Sequence, residues 1–241
     1  MKVLVVALLA GCWSASGTTP ATPTTPGTTG ADAPLGPPPN ITWSDDAPVV
    51  TGLPAVSADG TLVMYAQEDS DAGRGFTNLA IVTVSRADQP VARENVITAG
   101  DEPPAQAEID AKFAKANAYL VEQHRAHHFV AMHAFPKPEG TEDGPPTKMG
   151  DAGVEVDWDG SAALQVVLDG KPVHIRKTPP TWLAKDHPMY AGAPAEDTCS
   201  NPAHLGGGAS DRARKIVFVE IAYQGTDSCW EPPDQLHVVS W

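Results

Sequence analysis

Basic residues are scarce in this chain: 16 Lys and Arg residues stand against 30 Asp and Glu residues, which leaves a formal net charge of −14 at pH 7. A surface of that sign repels nucleic-acid phosphates and anionic lipid headgroups. We therefore expect no nucleic-acid partner and no polybasic contact with a membrane. Long apolar runs are missing too. The apolar run at residues 3–10 is too short for a helix to cross a hydrocarbon core of about 30 Å.

The sequence also lacks the motifs that mark several large enzyme classes. It contains no GxSxG nucleophile elbow, no P-loop, no dinucleotide-binding glycine fingerprint, no SxxK and no HExxH. The segment HLGGGAS at residues 204–210 resembles the oxyanion segment of esterases. That segment acts beside a nucleophile elbow, so we interpret it here as a flexible glycine loop. Motifs therefore predict no catalytic residue and no cofactor.

Cysteine is rare, and the first of the three cysteines directly follows the apolar run. Leu9-Ala10-Gly11-Cys12 resembles the lipobox of bacterial lipoproteins. The resemblance implies a signal peptide at residues 1–11, cleavage before Cys12, and lipidation of Cys12 at its thiol and new amino group. Several acyl chains hold a domain at a membrane almost permanently. Trp13 stands where inner-membrane retention would favour Asp, so we expect a lipid anchor in the outer membrane of the cell envelope.

The segment after Cys12 is poor in residues that build a core. All but four of residues 13–40 are Thr, Pro, Gly, Ser or Ala. Such a composition cannot bury enough apolar surface to offset its ordering entropy. We expect residues 12–44 to form the lipidated Cys and a disordered tether, and residues 45–241 to form a single globular domain.

Cys199 and Cys229 remain as an even pair in a chain expected to be exported. Exported proteins meet an oxidising compartment, so we predict a disulfide bond between them. Closing a loop of about 30 residues would stabilise the fold by roughly 3 to 4 kcal/mol. Metal ligation is the alternative, but neither cysteine has a partner at CxxC spacing.

Hydrophobic periodicity predicts an α+β fold: a mainly antiparallel β-sheet carrying one long amphipathic helix. The helix begins after the possible cap Asp101 and runs to about Arg125, with Ile109, Phe113 and Leu120 at helical spacing. Asp169-Gly170 predicts a tight hairpin turn. Residues 178–212 are expected to be irregular. The predicted strands are residues 61–67, 78–84, 91–97, 129–135, 154–158, 163–168, 171–177, 215–223 and 235–241.

Residues 57–84 and 210–239 follow a similar order of polar turn, strand, polar loop and strand. In the first, the pattern of Pro54, Ser57, Asp59 and Gly60 resembles one repeat of the WD40-like, TolB-type propellers. A propeller needs several such repeats at a fixed period, and the sequence does not show that period. We expect both segments to be hairpins of one antiparallel sheet.

Four histidines cluster in HRAHHFVAMH, namely His124, His127, His128 and His133. His124 and His128 are four residues apart, a helical spacing that metals can use, and His133 could add a ligand. The alternative is that histidines in the last helical turn complement the negative end of the helix dipole. We favour the second interpretation and therefore predict no metal site, with His124, His128 and His133 as the candidate ligands for the first.

Acidic residues occur in two further patterns, a segment similar to a calcium loop and a glutamate within an apolar strand. Asp69, Asp71 and Gly73 resemble the beginning of a calcium loop, but Arg74 and Ala80 then break the pattern, which favours a polar hairpin loop. Glu220 interrupts the apolar strand at residues 215–223. Its carboxylate is expected to face solvent or to pair with Arg176 or Arg214.

We therefore expect a lipid-anchored cell-envelope protein that acts as a non-enzymatic interaction or structural module, with a protein or envelope partner. The alternative is a metal-dependent or hydrolytic envelope enzyme that uses His124, His128 and His133. An enzyme would need at least two of these histidines and a carboxylate to converge on a common point.

Overall fold

The computed structural model describes residues 36–44, 47–69, 78–98, 105–136, 147–160, 163–177, 203–223 and 234–241. All of them belong to one compact unit, Leu35–Trp241. Strands make up 59% of the described residues. The described residues also include one helix, of 22 residues. The expected α+β class is therefore wrong, and the fold is β-rich. The helix contributes one face of one core cluster, while strands build the rest of the core.

A five-stranded sheet, here called the helix-side sheet, is formed mainly by the first half of the chain. Its order is β6-β5-β4-β3-β7, and all its pairs are antiparallel. The predicted strands at 61–67, 78–84 and 91–97 are confirmed within a few residues. The strands are β3 Ala55–Val56, β4 Leu62–Asp69, β5 Asn78–Ser85, β6 Pro90–Ile97 and β7 Val130–Ala131.

The middle sheet contains the strand that the sequence marks as most apolar, β14, between two neighbours. The neighbour β13, Ala203–Asp211, was not predicted, because the sequence analysis interpreted residues 204–210 as a flexible glycine loop. The two similar segments, residues 57–84 and 210–239, lie in separate sheets, so the prediction of one shared sheet is wrong. The order is β15-β14-β13-β8, with β8 His133–Ala134, β13 Ala203–Asp211, β14 Ile216–Tyr223 and β15 Gln235–Ser240.

The outer sheet is a four-stranded antiparallel meander. The predicted hairpin is confirmed: Asp169 and Gly170 both have positive φ, 49° and 77°, as a two-residue turn of the favoured handedness requires. The order is β12-β11-β10-β9, with β9 Lys148–Asp151, β10 Val154–Trp158, β11 Ala163–Leu168 and β12 Lys171–Lys177.

The helix α1, Gln106–His127, begins later than expected. Asp101 lies outside the described residues, and the N-cap is Ala105, which makes no side-chain cap hydrogen bond. The predicted apolar face is confirmed, since Ile109, Phe113 and Leu120 are buried. None of the described segments is a helix long and apolar enough to span a membrane.

Part of the range expected to be tether forms a strand. β1, Asn40–Ser44, pairs with β2, Ala47–Thr51. Ile41 is buried in the core cluster that α1 shares with the helix-side sheet. The Asn117 side chain of α1 accepts a hydrogen bond from the Ile41 N–H (2.8 Å) and donates one to the Ile41 carbonyl (2.9 Å). This pair of bonds holds β1 on the helix.

The middle sheet is buried on both faces, because successive residues of a strand point to opposite sides. In β14, Val217, Val219 and Ile221 pack in one cluster with residues of the outer sheet. Ile216 and Phe218 pack in another with residues of the helix-side sheet. The fold is therefore a stack of α1, the helix-side sheet, the middle sheet and the outer sheet.

Candidate functional site

The helix-side, middle and outer sheets meet at one partly buried charged cluster, formed by Asp88, Arg176 and His237. Asp88 lies in the turn between β5 and β6, where it adopts φ of 61°. Its Oδ2 atom is 2.6 Å from Arg176 Nη2 of β12 and 3.2 Å from His237 Nδ1 of β15. Its Oδ1 atom accepts a hydrogen bond from the Val238 N–H at 2.9 Å. One carboxylate thus links a turn of the helix-side sheet to strands of the two other sheets.

The cluster also covers the edge of the middle sheet. β15 is the terminal strand of that sheet, so alternate N–H and C=O groups point away from β14. At Val238, the N–H donates to Asp88 and the carbonyl accepts from Arg176 Nη1. Both polar groups of this residue are therefore satisfied by side chains from other sheets. Covered edges resist unwanted strand pairing.

Burial and hydrogen bonding act in opposite directions on Asp88. Burial raises the pKa of the carboxyl group, but hydrogen bonds from His237 and the Val238 N–H, with the charge of Arg176, outweigh it and hold the pKa below its ordinary value. The carboxylate is therefore charged at neutral pH. Burial, with a smaller contribution from the Asp88 charge, raises the pKa of nearby Tyr65 to about 12.

An imidazole whose Nδ1 faces a carboxylate is an arrangement that general-base catalysis uses. Catalysis also needs the second nitrogen within reach of a substrate. The Nε2 atom of His237 is buried, and within the described part of the chain it has no hydrogen-bond partner. The geometry therefore favours a structural link between sheets over an active site.

A shallow groove of about 370 Å³ lies elsewhere, along the β9–β10 and β11–β12 turns. Asp151, Glu155 and Asp169 line it, together with Lys148. Side chains from outside the groove bind two of these carboxylates: Arg212 binds both oxygens of Asp169 (3.1 and 2.6 Å), and His133 Nε2 is 2.7 Å from Asp151 Oδ2. All of these groups are exposed, so water screens their interactions. The groove is a polar surface feature without a concentrated charge.

The four predicted histidines do not form one site. His124 is buried in the last turn of α1, and His128 is the exposed, left-handed C-cap residue, whose N–H donates to the His124 carbonyl. His127 packs edge-on against Phe129. His133 pairs with Asp151 on the outer sheet. Within the described ranges, no group of three or more His, Cys, Asp or Glu side chains could hold a metal ion. Three of the four, His124, His127 and His128, lie in the last turn or at the C-cap of α1, whereas His133 lies on β8.

Glu220 lies across the glycines of β13. It is paired with Gly207 in the register of the two strands, and a Cβ atom built on Gly207 would lie 2.7 Å from Glu220 Oε2. The two arginines proposed as partners of Glu220 form ion pairs with other carboxylates: Arg176 binds Asp88, and Arg214 binds Asp211 at 2.6 Å. The glycines therefore make room for a carboxylate, and the interpretation as a flexible loop is wrong.

The WD40-like pattern forms a hydrogen-bonded turn between β3 and β4. The Ser57 hydroxyl donates to Asp59 Oδ1 (2.6 Å), which also accepts from the N–H and hydroxyl of Thr61 (3.0 and 2.8 Å). Gly60 has φ of 71°. The bond from Ser57, followed by those from Thr61, lowers the pKa of Asp59 to about 2. The pattern therefore specifies a turn, whatever the larger fold.

Several predicted sites lie outside the described residues: Cys12, Cys199, Cys229, Asp71 and Gly73. The lipidation and disulfide predictions therefore stay predictions. Sequence reasoning missed Asp88 and His237 altogether. The one signal for His237 was a polar residue within the apolar strand 235–241, and Asp88 sits in an ordinary polar turn.

Comparison with known proteins adds no assignment. No protein-family model matches the chain, and neither the curated proteins nor the solved structures gave a match.

Proposed function

We propose that this chain is a lipid-anchored protein of the cell envelope whose β-rich unit acts as a non-enzymatic interaction or structural module. The observation that carries the proposal is Leu9-Ala10-Gly11-Cys12, which follows an apolar run and precedes a segment of Thr, Pro, Gly, Ser and Ala. Acylated Cys12 would anchor the chain in the outer membrane, and the segment after it would hold the folded unit away from the headgroups.

The attachment of β1 supports this proposal. A tether transmits any pull to the first residues of the folded unit, so these residues need firm contacts. Ile41 is 1% exposed and is bonded through both its N–H and its carbonyl to Asn117. The contacts begin within a few residues of the Pro-rich segment at 37–39. A domain fastened in this way suits display from an anchored linker.

The distribution of polar groups supports a binding or structural role over catalysis. The partly buried charged cluster joins sheets, its imidazole Nε2 is inaccessible, and the charges that line the groove are screened by water. The predicted histidines are separated by burial and by different partners. An interaction module needs a stable scaffold and an accessible surface, and the three stacked sheets supply the scaffold.

Incorporation of radiolabelled palmitate in the native host tests the anchor. We expect the full chain to be labelled and to sediment with outer membranes, and Cys12→Ala to lose both properties. Ser14→Ala, two positions away, is the matched control and should keep both. Equal labelling of the Cys12→Ala chain, or an unlabelled soluble wild-type chain, would overturn the proposal.

A further inference from the structure

Strand β12 (Lys171–Lys177) has one edge without a strand beside it in the described part of the fold. Its aliphatic side chains are unusually open: Ile175 is 62% exposed, and Val173 is 45% exposed. Ile175 is the most exposed of the large hydrophobic residues described. Exposed aliphatic edges are sites where another extended chain can pair.

Four other edge strands, β6, β7, β8 and β15, are less suited to pairing. The edge of β15 is occupied at Val238 by Asp88 and Arg176. β7 and β8 have two residues each, too few for a stable ladder. β6 begins at Pro90 and shifts register twice against β5. In β12, Pro172 lacks an N–H near the beginning of the strand, and the register against β11 shifts once, between Val166 and Val167. Residues 174–177 lie beyond both irregularities and pair with β11 in unbroken register.

The charges at the two ends of β12 indicate the partner. Lys171 and Lys177 are exposed. Among the described residues, the bond from Arg212 lowers the pKa of Asp169 most, and the charge of Lys171 contributes to lowering it. A second copy pairing antiparallel about the strand centre would place Lys171 opposite Lys177, and like charges opposite each other are destabilising. A partner with carboxylates at both ends and an apolar centre would instead match both the charges and the aliphatic side chains.

We propose that β12 is a docking edge for an extended peptide segment of a protein partner, with an apolar centre and an acidic residue at each end. The segment would add a strand to the outer sheet, with main-chain hydrogen bonds providing the attachment and the two lysines providing selectivity. The proposal rests on the interaction role proposed above and names the partner's chemistry. Binding in solution tests it separately from the lipid anchor.

The test uses the full chain and a fluorescent, end-blocked peptide of alternating Val and Thr with Glu at each end. Fluorescence anisotropy measures its affinity beside that of the same peptide with Lys at each end. We expect the Glu-ended peptide to bind at least about tenfold more tightly at low salt, because the two lysines attract one peptide and repel the other. Salt of about 1 M should remove most of this preference.

Variants identify the edge. Lys171→Glu combined with Lys177→Glu should reverse the preference between the two peptides. Ile175→Lys should weaken binding, whereas Val91→Lys on β6, where the valine is 57% exposed, is the matched control and should not. A central Pro in the peptide should abolish binding, because it removes a main-chain donor.

Three results would overturn the proposal: equal affinity for the two peptides at low salt, unchanged binding by Ile175→Lys, or weakening by Val91→Lys instead. A chain that self-associates and loses peptide binding as its concentration rises would identify a second copy as the occupant and would also overturn it. None of these results bears on palmitate incorporation, so the anchor stands or falls separately.

Discussion

Arg176 and Asp88 lie 88 positions apart in the chain, yet Nη2 of the arginine is 2.6 Å from Oδ2 of the aspartate. The arginine belongs to the outer sheet and the aspartate to a turn of the helix-side sheet. Between them passes the edge of the middle sheet, which both side chains bind at Val238. This ion pair and its bonds to Val238 therefore connect the helix-side, middle and outer sheets through side chains that are far apart in the sequence.

Removing the charge of Asp88 should loosen this junction. We expect Asp88→Asn to lower the free energy of unfolding by roughly 2 to 3 kcal/mol, because Arg176 keeps a partly buried charge without its partner. Urea unfolding followed by circular dichroism measures the change. Asp169→Asn, the same substitution in the exposed pair with Arg212, is the control. Equal shifts in the two variants would contradict a special role for Asp88.

Asp59 should make the stability of the β3–β4 turn depend on pH. Its pKa is lowered from 3.8 to about 2, so the folded state favours the carboxylate. Its contribution is therefore complete above about pH 4 and declines as the pH falls towards 2. Carboxyl NMR titration should find the low pKa, and Ser57→Ala, which removes the largest cause, should raise it. A midpoint near 4 in the wild-type chain would refute the turn geometry.

Asn117 should control the attachment of β1. Asn117→Leu removes both hydrogen bonds to Ile41, which we expect to lower the free energy of unfolding by about 1 to 2 kcal/mol. It should also speed amide exchange at Ile41. Gln106→Ala on the same helix removes an exposed amide that donates to Asp110 and serves as the control. Unchanged exchange at Ile41 in the Asn117→Leu chain would show that other contacts hold β1.

The disulfide prediction has a direct chemical test. In the denatured, unreduced mature chain, a thiol reagent should find no free thiol at Cys199 or Cys229, and mild reduction should release both. We expect reduction to lower the unfolding midpoint, because the denatured chain regains the entropy of an open loop. Two reactive thiols in the exported protein would refute the bond.

Zinc titration tests the enzyme alternative. Because His124 is buried and His133 pairs with Asp151, we expect no saturable binding at micromolar Zn²⁺ in a metal-stripped sample. Isothermal calorimetry measures it. Saturable binding that His124→Ala and His133→Ala abolish, and that His127→Ala leaves intact, would restore the histidine site.

Local sequence features predicted those parts of the fold in which a short segment determines its own conformation. The Asp169-Gly170 turn and the apolar face of α1 are of this kind. β13 was missed because Gly206, Gly207 and Gly208 disfavour a strand when they are considered alone. Their neighbours explain them, since a Cβ at Gly208 would lie within 2.8 Å of Met149 on β9 and of Phe135, which follows β8.

The candidate site was less predictable than the fold. Asp88 and His237 are 149 positions apart, and neither belongs to a motif. The histidines that did attract attention lie close in sequence, but the helix end sends His124 into the core and leaves His128 in solvent. The histidines were considered as one site because they are close in sequence. The backbone at the helix end instead points their side chains in different directions.

The amino-acid sequence by itself determined the turns, the helix face, the strand periods and the charge, because each depends on residues that are neighbours along the chain. Only the tertiary structure decided that the strands divide among three stacked sheets, that glycines lie under Glu220, and that Asp88, Arg176 and His237 meet. Those arrangements depend on packing between segments far apart in sequence, for which local periodicity carries no information.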